Sequence, residues 1–302
     1  MALIVLCLTV AAGALLWIPS AQLIHMRAEQ RAVERGARAV AAWPQGRVAR
    51  ELRLARAYNR RIAASGQGTL GEASDPFLPP NLQGGRQASM AERDHDYQGL
   101  LNTGGGLMGS VRVPRISLNM PIYHGTSDQS LSQGSGHLYG TSLPVGGPST
   151  NAVLTGHRGL PGALLFTRLD ELKPGDVFYV DTLGRTMGYR ITAIHVVDPD
   201  DTHLYTVVQG KDLVTLMTCT PYGVNTQRLV LTGERAPIPR VVPEPDDAPK
   251  DAVLIGLGCG LAAFAIGVGA FASTRRRTLS ARHARRNGDS GAGKLLDKLN
   301  VY

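Results

Sequence analysis

Cysteine is scarce in this sequence: only three occur in 302 residues, and two of them, Cys7 and Cys259, lie in long apolar runs. A thiol in such a run behaves as a small apolar side chain. Cys219 is therefore the only cysteine in the polar part of the chain. This excludes an intramolecular disulfide there and a zinc site built from several cysteines. Two interpretations remain for Cys219, a buried bystander or a nucleophile.

Aromatic residues are also few, at 5% of the chain, whereas glycine (36) and proline (18) are abundant. This composition favours a β-rich fold with many loops over a helical bundle. From residue 107 onward, short runs of β-forming residues alternate with turn residues, which indicates a closed barrel or a sandwich. We predict strands near residues 110–116, 119–124, 151–156, 177–182, 187–197, 213–219 and 228–234, and a short helix over 164–170.

Formal charge is missing from residues 2–24 and 252–274, and each run is long enough to cross the ~30 Å hydrocarbon core of a bilayer. The second run is followed by residues 275–302, where eight basic and two acidic residues hold +6 of the net charge of +8. A basic cluster beside an apolar run marks the cytoplasmic side of a membrane span. We therefore predict a C-terminal transmembrane helix and a basic cytoplasmic tail, and the lipid bilayer rather than nucleic acid as the partner of this region.

The first apolar run is either a transmembrane anchor or a secretion signal, and the anchor is favoured because no clear small-residue cleavage site precedes His25. Two spans with the C-terminus inside place the residues from about 25 to 250 outside the cell. In that oxidising compartment an unpaired thiol is vulnerable, so Cys219 is easier to explain if it has a chemical task.

Residues 26–64 are rich in Ala, Arg and Glu, and Pro44 divides them into two predicted helices. In the second helix Leu52, Ala55 and Ala63 share one face and the arginines are exposed, which is typical of a solvated spacer. Residues 65–106 show no regular pattern and are read as a linker or a functional loop. Five prolines between residues 237 and 249 indicate a stiff stalk, which we place at residues 241–251.

Cys219 ends one predicted strand and Arg228 begins the next, with a loop of turn-forming residues between them. If the two strands form a hairpin, the residues that flank the loop face each other at one sheet edge. A cation in that position favours the thiolate and can stabilise an oxyanion as a carbonyl is attacked.

A cysteine nucleophile also needs an acid–base group. Among the eight histidines, His157 is best placed, because it closes the strand predicted near residues 151–156. It lies between Gly156 and Arg158, with Gly159 following, and the sequence suggests that these glycines leave room for a substrate. A lone histidine at a strand end is more often structural, so the assignment depends on the pairing with Cys219 and Arg228.

These residues resemble a known family. Residues 215–219 (TLMTC) are similar to the cysteine signature of the sortases, which are cysteine transpeptidases of Gram-positive surfaces. Residues 156–158 (GHR) and 228–230 (RLV) match the other catalytic strands of that family. The resemblance covers roughly residues 107–236 and implies a closed, mostly antiparallel β-barrel.

Further motifs resemble class C, the sortases that polymerise pilins. These are residues 136–144 (GHLYGTSLP) and 220–225 (TPYGVN), together with the C-terminal span and its basic tail. The tripeptide Asp75, Pro76, Phe77 is similar to the lid motif of that class, although alone it is an ordinary turn sequence. The implied organisation is an anchor or signal (1–24), an extracellular helical region with a lid loop (25–106), a barrel (107–240), a stalk (241–251), a transmembrane helix (252–274) and a cytoplasmic tail (275–302).

The resemblance implies that Cys219, His157 and Arg228 cleave an LPXTG-like sorting signal of a pilin precursor between Thr and Gly. A lysine of the next pilin would then resolve the thioacyl enzyme, with no metal or organic cofactor. Three alternatives stay open. They are a housekeeping sortase that uses a cell-wall precursor as acceptor, a papain-like protease that uses water, and a scaffold without enzymatic activity.

Overall fold

The computed structural model describes residues 2–67, 89–160 and 162–239, together with residues 258, 260–262, 264, 265 and 269. The chain divides into two compact units, residues 1–249 and 250–302. The described residues of the second unit are helical. Within the described part of the chain, no helix combines the length and the hydropathy that crossing a membrane requires, so neither predicted span is confirmed.

The first unit begins with two helices, α1 (Ala2–Ala41) and α2 (Gln45–Ala64). Pro44 precedes α2 with extended ψ, because proline has no N–H to donate and cannot continue α1. The predicted break at Pro44 is therefore confirmed. Ala55 and Tyr58 are buried and the arginines of α2 are exposed, as the amphipathic pattern predicts.

Helix α2 is fixed to the rest of the unit by a buried side chain. The Nδ2 of Asn59 donates to the carbonyl of Leu143 at 3.0 Å, and the N–H of Leu143 donates to Oδ1 of Asn59 at 2.7 Å. Because both groups of the amide are paired, the buried Asn59 carries little desolvation cost.

Two short helices, α3 (Met90–Arg93) and α4 (His95–Gly99), lie before the first strand. Ser89 and Glu92 form a capping box on α3, and the carboxylate of Asp94 accepts from the N–H of Tyr97 at the start of α4. The prediction that residues 65–106 lack structure is wrong for this portion. The helices are too short to give a hydrophobic period, and only their caps could have indicated them.

Eight strands close into a barrel in the order β1-β2-β3-β4-β7-β8-β6-β5. The elements are β1 (Leu107–Val113), β2 (Leu118–His124), helix α5 (Asp128–Gln133), β3 (Ser135–His137), β4 (Thr150–Thr155), β5 (Val177–Thr182), β6 (Arg185–Val197), β7 (Asp212–Thr220) and β8 (Gln227–Ala236). The pairs β2–β3 and β4–β7 are parallel and the other six pairs are antiparallel. The mostly antiparallel closed barrel is confirmed.

Three details of the sequence prediction are corrected. The first strand ends at Val113, because Pro114 begins a turn of 3-10 helix instead of continuing the ladder. Strand β3 was not predicted, since its three residues are too few to show alternation. The helix predicted over 164–170 is a series of turns followed by a 3-10 turn at Leu169–Glu171.

Strands β4 and β7 lie side by side in the parallel arrangement, with every residue of β4 buried and Leu213–Cys219 of β7 buried. Parallel strands are typically covered on both faces, and their sequences read as continuous apolar runs. This pair therefore forms a rigid support for whatever lies at its C-terminal edge.

Candidate active site

Cys219 lies near the C-terminal end of β7 and is only 4% exposed. Strands β7 and β8 form the predicted hairpin, and Cys219 pairs directly with Arg228 in its register. Arg228 is 2% exposed, and its Nη1 donates to the carbonyls of Asn225 at 3.2 Å and Gln227 at 2.9 Å. Main-chain oxygens of the β7–β8 loop thus fix the guanidinium next to the cysteine strand.

His157 reaches the same edge from the other side of β7. Thr155 pairs with Met217, and the contact continues beyond β4, since the N–H of Gly156 donates to the carbonyl of Met217 at 3.2 Å. The hydroxyl of Thr218 donates to the carbonyl of Gly156 at 2.7 Å. Continuing this parallel register by two residues places His157 level with Cys219.

The structure thus brings the three predicted residues to the C-terminal edge of β4 and β7 and the start of β8, which are consecutive in the barrel. A thiol, an imidazole and a guanidinium at one edge provide a nucleophile, a proton carrier and a fixed cation. This set is sufficient for acyl transfer through a thioester.

The glycines beside His157 do not provide open space. A Cβ on Gly156 would lie 2.9 Å from the ring of Phe166, and one on Gly159 would lie 3.2 Å from the ring of Tyr222. Gly159 also has a φ of +80°, which disfavours other residues. The suggestion that these glycines leave room for a substrate is therefore wrong, because aromatic rings occupy both positions.

The surroundings of His157 decide its protonation. Partial burial lowers the pKa of the imidazole below its usual value, and the negative charge of Asp128 opposes this shift. Burial therefore favours the neutral ring over the imidazolium. Asp128 belongs to α5, and nothing in the local sequence of either residue indicated that they lie near each other.

The remaining site prediction concerns Asp75, Pro76 and Phe77. These three residues lie outside the described part of the chain, between residues 67 and 89. The sequence analysis gave no role to Arg158, although this residue belongs to the motif at residues 156–158. Its place directly after His157 could have indicated a role near the site.

Comparison with known proteins agrees with this geometry. The Sortase domain family matches residues 111–236. The structure of sortase C1 of GBS Pilus Island 1 is 37% identical, with a TM-score of 0.61, and the alignment covers 73% of this chain and 100% of that one. The chain belongs to the sortase family.

Two further relatives refine the comparison. Sortase C-1 from Actinomyces oris is 44% identical with a TM-score of 0.57, over 65% of this chain and 100% of that one. Sortase A of Streptococcus agalactiae serotype III (strain NEM316) is 30% identical over 42% of this chain and 52% of the relative. Both of these solved structures are class C sortases, which confirms the resemblance to that class. The chain spans between about half and two thirds of the length of the curated relatives it matches.

Proposed function

We propose that this protein is a cysteine transpeptidase that cleaves an LPXTG-like sorting signal between Thr and Gly and joins pilin subunits through lysine isopeptide bonds. The observation that carries the proposal is the pairing of Cys219 with Arg228 across β7 and β8. The contact between β4 and β7 continues to Gly156, and this supports a place for His157, the next residue, at the same edge.

In the first half-reaction, the Sγ of Cys219 attacks the Thr carbonyl of the signal and its proton passes to His157. The lowered pKa of His157 suits this step, because the neutral ring can accept the proton. Arg228 stabilises the oxyanion of the tetrahedral intermediate. When the Thr–Gly bond breaks, the imidazolium protonates the leaving amine, and a thioester remains on Cys219.

In the second half-reaction, the amine of a lysine on the next pilin attacks the thioester carbonyl. His157 takes a proton from the attacking amine and returns it to the departing thiolate. The products are an isopeptide bond and the free thiol, so the enzyme returns to its starting state with no metal or organic cofactor.

The choice of pilin as substrate is supported by one relative above all. The protein from GBS Pilus Island 1 is a sortase C1 and aligns along its whole length with this chain. A housekeeping sortase would use the same first half-reaction and differ only in its acceptor, so the acceptor has to be measured directly.

The test uses the full chain in detergent with a pilin precursor that carries an LPXTG-like signal. We expect a ladder of covalent multimers on denaturing gels, and mass spectrometry should find a lysine linked to the Thr carboxyl. A parallel reaction with a cell-wall precursor analogue distinguishes the housekeeping alternative. Cleavage that yields only the free Thr acid in both reactions would favour the protease reading.

We also propose that residues 2–24 and 252–274 anchor the enzyme in the membrane, with the barrel outside and residues 275–302 in the cytoplasm. The uncharged runs and the basic tail support this arrangement. Protease added to intact protoplasts should digest the barrel and spare a tag at Tyr302. Loss of that tag would reject the orientation.

A third proposal concerns access to Cys219. The similarity of Asp75, Pro76 and Phe77 to a lid motif supports a role for this tripeptide in limiting access. The double variant Asp75→Ala, Phe77→Ala should then speed alkylation of Cys219 by a small reagent. An unchanged alkylation rate would leave the tripeptide as a plain turn.

A further inference from the structure

Arg158 follows His157 directly and contacts three residues in two separate parts of the chain. Its Nη1 donates to Oγ1 of Thr220 at 3.0 Å, and its Nη2 forms an ion pair with Asp170. Its Cζ also lies 5.9 Å from the centre of the Tyr222 ring, within the range of a cation–π contact. The side chain of Arg158 is only 7% exposed, whereas those of its partners Asp170 and Tyr222 are more than half exposed.

The positions of these partners matter more than their number. Thr220 is the last residue of β7 and immediately follows Cys219. Asp170 lies in the 3-10 turn Leu169–Glu171, after the loop that His157 begins. Arg158 therefore links the loop that carries His157 to the strand end that carries Cys219.

A second contact joins the same two loops. The ring of Tyr222 lies against Gly159, where an added Cβ would come within 3.2 Å of it. Arg158 and Gly159 are consecutive, so two adjacent residues of the His157 loop meet the β7–β8 loop. These contacts restrict movement of one loop relative to the other.

The contacts of Arg158 contribute little to the stability of the fold. Its Nε is buried and has no hydrogen-bond partner among the described residues, and a buried donor left unpaired is unfavourable. Its carboxylate partner Asp170 has a side chain that is 51% exposed, which makes the ion pair weak. What the arrangement supplies is a fixed distance between two loops.

We propose that Arg158 is a positioning residue that holds His157 where its imidazole can exchange a proton with the Sγ of Cys219. This inference rests on the proposed transpeptidase function. Arg158 acts through His157 and Thr220, and it neither attacks the substrate nor carries a proton. Proton transfer depends steeply on geometry, and a displacement of about 1 Å at a reacting group can cost about 100-fold in rate.

The test measures cleavage of an LPXTG-like peptide by the full chain carrying Arg158→Lys, Arg158→Ala or Thr220→Val. We expect kcat to fall about 10- to 100-fold for both Arg158 variants, with KM within about threefold of wild type, because the arginine orients the catalytic group without binding the peptide. Lysine retains the charge but cannot contact Thr220 and Asp170 together. The kcat of Arg158→Lys should therefore lie between that of Arg158→Ala and that of wild type.

Arg168→Lys is the matched control. Arg168 lies in the same segment, is 17% exposed, and pairs with Glu171 while its Nη1 donates to the carbonyl of Ile116 at 3.2 Å. Glu171 and Ile116 lie outside β7 and the β7–β8 loop, so the kcat of the Arg168→Lys variant should stay within about twofold of wild type. An equal fall in the control would mean that any arginine of this loop affects the rate through the fold, and would overturn the proposal.

The double variant Arg158→Lys, Thr220→Val separates positioning from general stability. If Thr220 acts through Arg158, the two effects on kcat are not additive and the double variant resembles the Arg158 variant. All assays are run well below the melting temperature of each variant, so that the folded fraction is the same.

Unchanged kcat in Arg158→Ala, with active wild type, would overturn this inference and leave the proposed function intact. An inactive wild type, with Cys219 still open to alkylation, would overturn both.

Discussion

Two clusters on neighbouring strands contain a histidine, yet only one of them is suited to chemistry. At the end of β3, His137 is fully buried with Tyr97, and at the end of β4, His157 lies partly exposed beside β7. The residue type and its place at a strand end are the same in both. The difference lies in burial, because the His137 ring is enclosed in the core whereas the His157 ring is partly open to a substrate.

The closed cluster, Tyr97 and His137, has its hydrogen bonds satisfied internally. The Oη of Tyr97 lies 2.9 Å from Nδ1 of His137, and Nε2 of His137 lies 2.8 Å from the carbonyl of Ser142. The hydroxyl of Tyr97 also accepts from the N–H of Gly125 at 2.9 Å. Such a network stabilises the barrel and leaves no atom available to a substrate.

The open cluster, Cys219, His157 and Arg228, should lose activity without losing the fold. We expect Cys219→Ala to reduce peptide cleavage by at least about 1,000-fold, because the variant lacks the thiol that forms the proposed thioester. The melting temperature should change by only a few degrees, since a small apolar side chain replaces a buried thiol. Activity assays with calorimetry of the same samples provide the check, and retained pilin ladders would reject the role of Cys219.

Arg228→Lys tests whether the open cluster needs a guanidinium or only a positive charge. Lysine carries a compact point charge in place of the planar guanidinium that Arg228 presents beside Cys219, so we expect kcat/KM to fall about 10- to 100-fold. Arg235→Lys, on the same strand but paired with Asp212, is the control and should stay near wild type. An equal loss of kcat/KM in both variants would contradict a catalytic role for Arg228.

The closed cluster should instead respond through stability and pH. Burial lowers the pKa of His137 to about 4, and the charge of His124 acts in the same direction. Between pH 6.5 and 4 the unfolded chain therefore binds more protons than the folded one, so stability falls as the pH is lowered through this window. Across this window, the titration of His137 lowers the free energy of unfolding by about 3 kcal/mol. Denaturant titrations measure the free energy of unfolding at pH 7 and at pH 4.5. The loss of stability between the two pH values should be smaller for His137→Gln than for wild type. An equal loss in both proteins would contradict the assignment to His137.

The smallest effect concerns Asp128, whose charge raises the pKa of His157 against the effect of burial. Asp128→Asn should lower the pKa of His157 further, and the change should be small because Asp128 is exposed to solvent. NMR titration of the His157 ring would measure the shift, and 1 M salt should abolish the difference from wild type. A pKa that rises in Asp128→Asn would contradict the sign.

The comparison also shows what the sequence could predict. The Cys219–Arg228 hairpin could be predicted because strand ends and turn residues are local features of the sequence. The fold could be predicted from the repeated short strands. The residues that surround His157 could not be predicted from the sequence. It depends on the parallel pairing of β4 with β7, which is set by tertiary packing, and on Asp128, which comes from a different helix.

Two other failures have the same cause. Strand β3 exists because its three residues fill the gap between β2 and β4, and a span so short carries no periodicity. The glycines beside His157 look like an open approach in the sequence, yet the rings of Phe166, later in the same loop, and of Tyr222, from the β7–β8 loop, lie against them.

Mass spectrometry can detect the proposed thioester between Cys219 and the substrate. The full chain is mixed with an LPXTG-like peptide, quenched in acid and digested. We expect the fragment containing Cys219 to gain the mass of the peptide up to and including Thr, and hydroxylamine to remove it. The absence of this adduct, in a protein whose Cys219 is still alkylated by a small reagent and whose peptide is still cleaved, would exclude a thioester on Cys219.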